Sequence, residues 1–227
     1  MEKQKYAAIV LAAGSGKRMN SKVHKQYLII QDRPVLYYSL KAFEDSAVDE
    51  IVLVVGKGEE EFCRKEIVDK YGISKVKAIV EGGKERYHSV FEGLKQTSDA
   101  DYVLIHDGAR PFITEEILER GLTGAEETGA CAVGMPSKDT VKIADESGYI
   151  AETPDRSKVW MIQTPQIFQY ALIRNAHESI RTREMSNVTD DAMVVEQETG
   201  IKVRLAEGSY QNIKITTPED LGVAELF

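Results

Sequence analysis

The residues best suited to chemistry lie near the start of the chain, where Gly14, Ser15 and Gly16 lead into Lys17, Arg18, Lys22 and Lys25. Glycine leaves no Cβ between a backbone N–H and an anion and lets the chain take positive φ, while the four cations supply charge around it. Such a loop suits a polyphosphate. A cation aimed at a phosphorus under attack stabilises the charge that develops there, which makes Arg18 and Lys25 the candidate catalytic residues.

Three further positions carry useful types. Gly82-Gly83, with Ser89 shortly after, offers bare backbone groups of the kind that meet a nucleobase edge, and equally reads as a tight turn. Asp107 closes an apolar run and precedes Gly108, Ala109 and Arg110. A carboxylate at the tip of an interior strand, facing a basic glycine loop, suits a divalent cation held between protein and phosphates. Asp107 is the candidate metal ligand; its alternative roles are to cap that loop or pair with Arg110. Lys214, just before a helix start at Thr217-Pro218, can reach an anion.

These residues need elements to position them. Residues 7–13 read as a strand buried on both faces, and so do 50–55, 76–80 and 102–105. Between them run helical patterns: Val35, Leu36, Ser39, Leu40 and Phe43; residues 59–70; and Tyr87, Val90, Phe91 and Leu94. The alternation predicts an α/β fold, a mostly parallel sheet with helices on both faces and ligands at the carboxyl ends of its strands. Residues 130–133 and 202–205 read as further strands. Thr189 reads as the hydroxyl cap of a helix opened by Asp190 and Asp191, either of which could instead approach metal or substrate. Residues 137–157 alternate polar with apolar around a Gly148 turn and predict an antiparallel arm. A two-stranded ribbon is marginal alone, so it must lie on something, and a partner subunit is the natural choice.

Composition narrows the function. The 227 residues are 42% hydrophobic and 29% charged with a net charge of −8, so the chain can bury a substantial core, while its acidic balance argues against a nucleic-acid or membrane-surface binder. No apolar stretch approaches the ~18 residues of a membrane span, and cytoplasm is the expected location. Cys63 and Cys131 read as buried thiols. His106, alone on its strand, reads as a structural histidine. A dinucleotide fingerprint would need glycine where Met19 stands, and a Walker A loop would need Ser or Thr where Arg18 stands. Both are disfavoured.

Ala-Ala-Gly-Ser-Gly-Lys-Arg-Met (12–19) with Lys-Gln-Tyr (25–27) resembles the signature of nucleotidyltransferases that couple a sugar or polyol phosphate to a nucleoside triphosphate. Gly-Gly-x-x-Arg-x-x-Ser-Val, His-Asp-Gly-Ala-Arg-Pro, Gln-Thr-Pro-Gln-x-Phe and Asn-Ile-Lys follow in order. Together they resemble the 2-C-methyl-D-erythritol 4-phosphate cytidylyltransferases from Ala7 to Leu221. Gly108 departs from the alanine usual there and adds backbone freedom.

The resemblance implies a Rossmann-like fold of nucleotidyltransferase type, one domain over 1–227 with the arm, 137–157, inserted for homodimerisation. It implies transfer of a cytidylyl group from CTP to methylerythritol phosphate, with Mg2+, in isoprenoid precursor synthesis. Ala12, Ala13, Gly14, Gly16, Gly82, Gly83 and Ser89 would hold CTP. Asp107, Arg110, Thr164, Thr189 and Lys214 would hold the acceptor, with Thr140 and Arg156 completing the neighbouring subunit's site. Ribitol 5-phosphate is the rival acceptor, and an inactive CTP-binding module is the alternative of another class. A phosphate monoester is largely ionised near pH 7, so the attack needs no general base. This agrees with the absence of any Ser-His-Asp, Cys-His or His-x-x-x-His pattern.

Overall fold

The computed structural model describes residues 3–14, 16, 19, 23–97, 99–181 and 188–227. In chain order the elements begin with β1 (Tyr6–Ala12), a small hairpin of β2 (Ile29–Ile30) and β3 (Arg33–Pro34), α1 (Val35–Glu44), β4 (Glu50–Val55) and α2 (Glu60–Cys63). Next come β5 (Val76–Glu81), α3 (Arg86–Leu94), β6 (Tyr102–Asp107), α4 (Glu115–Thr128) and β7 (Ala130–Pro136). The arm strands are β8 (Ile143–Ala144) and β9 (Ile150–Glu152). After them follow β10 (Trp160–Gln169), α5 (Tyr170–Ile180), α6 (Asp191–Thr199), β11 (Arg204–Glu207) and α7 (Pro218–Ala224). The helix expected over 59–70 is α2 continued by a π-type segment Arg64–Asp69, whose wider turn carries the adjacent Ile67 and Val68 both into the core.

Seven strands form the main sheet in the order β11-β7-β10-β6-β1-β4-β5. All neighbours are parallel except β10, which runs antiparallel to both β6 and β7. Small and β-branched residues make this possible. Along β1, Ala8, Val10 and Ala12 pack with α1 and α4 on one face, while Ile9 packs with α3, α5 and α6 on the other. Helix α3 lies close over the sheet because residue 93 is glycine, where a Cβ would stand 2.5 Å from Ile9 Cγ2. Both cysteines are buried free thiols whose pKa values burial pushes up to about 11.

The parallel register places the strand tips side by side. Ala12 pairs with Val55, Val55 with Glu81, and Leu11 with Asp107. After β1 the chain moves outward to β4 and β5 on one side and returns to β6 on the other, so the crevice between β1 and β6 is the topological switch point where such sheets bind ligands. Gly14, at the start of the opening loop, and Asp107 border that crevice.

The arm is a separate two-stranded sheet. Asp145 turns it by accepting from the N–H groups of Ser147 and Tyr149, Gly148 sits at φ +85°, and Ser137 N–H donates to Val159 at its base. Tyr149 and Ile150 are largely exposed.

Candidate active site

Two adjoining clefts, of about 430 and 320 Å³, open at the strand tips and share a wall made of Arg86, Asp107 and Lys214. The larger is bounded by Ala12, Ala13 and Gly14 at the end of β1, by Gly83, Lys84 and Glu85 before α3 and Ser89 within it, and by Lys25. Lys25 lies on a single 3-10 turn, Lys25–Tyr27, and its Nζ donates to Ile215 O at 2.9 Å. The buried Gln26 beside it donates to Ala12 O. Ser15, Lys17, Arg18 and Lys22 lie outside the described residues.

The glycines divide their work. Gly16 takes φ +59° and presses on Lys25, where a Cβ would stand 3.3 Å from Cγ. Gly14 does not take positive φ, contrary to the sequence expectation; the space beside its Cα is open, so its lack of a side chain keeps the cleft wall clear. Gly82 stands behind the wall, where a Cβ would lie 2.6 Å from Ala13 Cβ and 2.7 Å from Ser89 Oγ. Ser89 Oγ accepts from Gly83 N–H at 3.1 Å, which fixes the Gly-Gly turn against α3. Gly108 has no positive φ either. Leu36 Cδ1 would meet its Cβ at 2.9 Å, so packing rather than backbone freedom accounts for glycine there.

Asp107 is ringed by cations. Lys214 Nζ lies 2.7 Å from Oδ2, Arg110 Nε 3.8 Å from the same oxygen, and Arg86 Nε 3.6 Å from Oδ1. Burial opposes ionisation of this carboxyl, but the charges of Arg86, Lys214 and Arg110 outweigh it and hold the group far below the usual carboxylate range. Arg86 is held in turn by Asp191, 2.7 Å away at the start of α6, and Asp191 also faces His177 Nε2 at 3.2 Å. Asp191 and His177 are fully interior. Burial works against Arg86's charge, and Asp191 and Asp107 more than restore it. A carboxylate pair thus sets the guanidinium on the wall between the clefts.

The smaller cleft is lined by Arg110, Gln163, Thr164, Thr189 and Asp190 as well as the shared wall. Arg110 Nη1 donates to Asn212 O, which ties β6 to the segment carrying Lys214. The hydroxyl of the buried Thr164 accepts from Asp107 N–H at 3.1 Å and contacts His106 Nδ1 at 3.0 Å, so Thr164 acts on the site by holding the Asp107 backbone. His106 is indeed structural: its Nε2 lies 3.1 Å from Arg110 O, and burial lowers its pKa to about 4. The cap of α6 is Asp190, accepting from Met193 N–H at 2.9 Å, and not Thr189; the carboxylate reaches the third-residue donor, while the Thr189 hydroxyl turns to Met193 Sδ.

Thr140 and Arg156 line neither cleft. They sit at the two ends of the arm, where Arg156 donates to Lys138 O. Asp190 lines the smaller cleft, whereas Asp191 turns to Arg86 and His177 in the interior; Arg86, His177 and Gln166 are not among the residues singled out from sequence. Arg86 stands within the Gly-Gly-x-x-Arg-x-x-Ser spacing, and His177 falls on the apolar face set by Ile173, Ala176 and Ile180, where a polar residue signals a buried partner. Gln166 accepts from the N–H groups of both Asp191 and Ala192, closing the start of α6 onto β10.

Among the described residues no group of three His, Cys, Asp or Glu side chains could hold a metal ion. Asp107 is a single carboxylate with both oxygens turned toward cations. Asp107, which lines both clefts, is a carboxylate that could offer an oxygen to a divalent ion brought in by a phosphate ligand.

The family model for 2-C-methyl-D-erythritol 4-phosphate cytidylyltransferase (IspD) matches residues 6–227. The chain is 52% identical to the protein of that name from Lachnoclostridium phytofermentans, over 98% of this chain and 95% of the relative. It is 49% identical to the one from Alkaliphilus oremlandii, over 97% and 94%. The crystal structure of 4-diphosphocytidyl-2C-methyl-D-erythritol synthase from Anaerococcus prevotii superimposes with a TM-score of 0.86 at 38% identity, covering 98% of this chain and 95% of that one. The Thermus thermophilus cytidylyltransferase gives 0.77 at 31%, covering 96% of each. The chain belongs to the 2-C-methyl-D-erythritol 4-phosphate cytidylyltransferase family.

Proposed function

We propose that the chain transfers the cytidylyl group of CTP to 2-C-methyl-D-erythritol 4-phosphate, giving 4-diphosphocytidyl-2-C-methyl-D-erythritol and pyrophosphate. The observation that carries this reading is the pair of clefts meeting at Arg86, Asp107 and Lys214. The larger cleft combines exposed backbone at 12–14 and 83 with Lys25 and Lys84, suited to a base and a triphosphate; the smaller sets Arg110 and Lys214 beside Thr164 and Thr189, suited to a phosphate monoester.

The acceptor phosphate is the nucleophile and attacks the α-phosphorus of CTP; a P–O bond forms there as the bond to pyrophosphate breaks. The acceptor oxygen is already ionised near pH 7, so the chain supplies no base. Its task is to bring two anions together in line and to neutralise the charge that builds up. Lys25 reaches in from the larger cleft and, with Arg18, meets the α-phosphate and the leaving group. Lys214 and Arg110 orient the acceptor phosphate, and Arg86 holds the wall between the two substrates. Magnesium bound to the triphosphate, with Asp107 as its protein ligand, would neutralise the leaving group. We place the enzyme in the cytoplasm as a homodimer in which the arm brings Thr140 and Arg156 to the neighbour's acceptor site.

Pyrophosphate release with magnesium, CTP and either methylerythritol phosphate or ribitol 5-phosphate tests the assignment. Fast release with the first acceptor is expected. Preference for ribitol phosphate would replace the substrate while keeping the chemistry, and silence with both would overturn the enzyme reading.

A further inference from the structure

The turn that carries Lys25 is held from behind by one carboxylate. Glu59 follows β4, and three groups converge on it: Gly56 N–H donates to Oε2 at 3.0 Å, the Tyr27 hydroxyl donates to Oε2 at 2.8 Å, and His24 Nδ1 lies 2.7 Å from Oε1. His24 and Tyr27 flank the catalytic candidate on either side. The Glu59 side chain is one-fifth exposed, and it packs on the bare Cα of Gly56, where a Cβ would stand 2.6 Å from Oε2. The Tyr27 hydroxyl also touches the buried Cys63 Sγ at 3.0 Å, and its ring meets Phe62 edge-on at 5.0 Å. Burial, with Cys63 and Glu59 beside it, keeps that phenol neutral and therefore a donor.

We propose that Glu59 is a positioning residue for catalysis: by holding His24 and Tyr27 against the end of β4, it fixes the 24–27 turn so that Lys25 meets the α-phosphate. The proposal rests on the reading of Lys25 given above. A one-turn helix cannot hold its own geometry, since it closes too few backbone bonds to offset the entropy of ordering it. Its direction must come from tertiary contacts. Gln26 supplies one by donating to Ala12 O, which fixes the turn along the strand tip. Glu59 supplies two more, accepting from the Tyr27 hydroxyl and standing 2.7 Å from His24 Nδ1, contacts that straddle Lys25. A lysine has a long, flexible stem, so the precision of its ammonium depends on how firmly its Cα is placed.

The test is a double-mutant cycle in the full-length enzyme, read as kcat and KM for pyrophosphate release. Glu59→Gln keeps the volume but removes the charge, and with the amide oxygen turned to Gly56 and Tyr27 it sets an N–H₂ in place of the carboxylate oxygen that meets His24 Nδ1. Small misplacements of this kind cost up to about 100-fold in rate, and a loss in kcat of about 10- to 100-fold is expected, with KM for either substrate changed much less. In a Lys25→Ala background, measured at high enzyme concentration, Glu59→Gln should lower kcat no further, because the group it positions is gone. Tyr27→Phe removes one of the bonds while keeping the ring on Phe62, and should give a smaller loss that also vanishes without Lys25. It carries the test if Glu59→Gln does not fold. Full kcat in both variants, or the same fold loss with and without Lys25, would overturn the proposal. A Lys25→Ala enzyme with normal turnover would overturn the catalytic reading and this one with it; a slow Lys25→Ala enzyme beside a fast Glu59→Gln enzyme would overturn this one alone.

Discussion

The two clefts share a wall yet differ in what completes them. Beyond the shared wall, the larger is formed by short contiguous stretches, 12–14, 25–26 and 83–85, in which the backbone and small side chains of Ala12, Ala13, Gly14 and Gly83 stand at the tips of neighbouring parallel strands beside Lys25, Lys84 and Glu85. The smaller is formed by side chains from β6, β10, the cap of α6 and the segment before α7, several of them charged and leaning on one another. A site made of backbone depends on shape and on the absence of side chains. A site made of buried charges is coupled to the stability of the fold, because removing one charge leaves its partners uncompensated. The same wall should therefore respond differently according to which side is perturbed.

The contrast is sharpest at Lys25. Its ammonium donates to Ile215 O, a bond worth about 1 kcal/mol in a typical case. Lys25→Ala should lower kcat by about 100- to 1,000-fold, or roughly 3 to 4 kcal/mol of transition-state stabilisation, with a denaturation midpoint close to that of the parent. Turnover near the parent's rate would remove Lys25 from the chemistry. Asp107→Asn should do the reverse in proportion. It leaves Arg86, Arg110 and Lys214 gathered around a neutral amide, which should cost about 3 kcal/mol of stability, the low end for a broken buried pair because Lys214 is one-third exposed. Urea denaturation measures this, and an unchanged midpoint would mean that solvent screens the cluster and the charge coupling is weak.

The same difference governs what could be read from the chain alone. The alternation of strands and helices, the opening loop, the Gly82-Gly83 turn and Asp107 were legible because each is a local pattern set by backbone geometry. The reversed direction of β10 was not, since an apolar run looks the same in either direction. Arg86 was overlooked although its motif was in view, because its importance comes from Asp191 and His177, which only the packing of α5 and α6 on α3 brings near. Glu59 was hidden in the same way: an acid at a helix start reads as a first-turn charge until the fold sets Tyr27 and His24 upon it. Reasons assigned to glycines also needed coordinates, as Gly14 and Gly108 show, since the sequence cannot distinguish a glycine kept for its φ from one kept for lack of room.

His106 extends the contrast to pH. In the unfolded chain its imidazole binds a proton near 6.5, while the buried ring, held between Thr164 and Arg110 O, resists protonation until about 4. Between those values the unfolded state binds more protons, so stability rises with pH, is complete above about 6.5 and is lost as pH falls toward 4. The swing is about 3 kcal/mol. Denaturation of parent and His106→Gln at pH 7 and pH 4.5 should show a shallower acid loss in the variant; an equal loss would place the acid sensitivity elsewhere.

Gly82 offers the finest test of the backbone-built cleft. It carries no charge and lies behind the wall, so Gly82→Ala leaves every ionic contact of the smaller cleft in place. The new methyl would crowd Ala13 and Ser89 and push apart the two stretches that border the larger cleft. Overpacking of this kind costs about 1 to 3 kcal/mol. The expected signature is a raised KM for CTP, a KM for the acceptor close to the parent's, and kcat at saturating CTP little changed, because a distorted binding wall weakens ground state and transition state alike. A raised acceptor KM with CTP unaffected would reverse the roles of the two clefts. A lower melting temperature with both KM values unchanged would show that the methyl is absorbed toward the core and that the Ala13–Ser89 spacing is no part of nucleotide recognition.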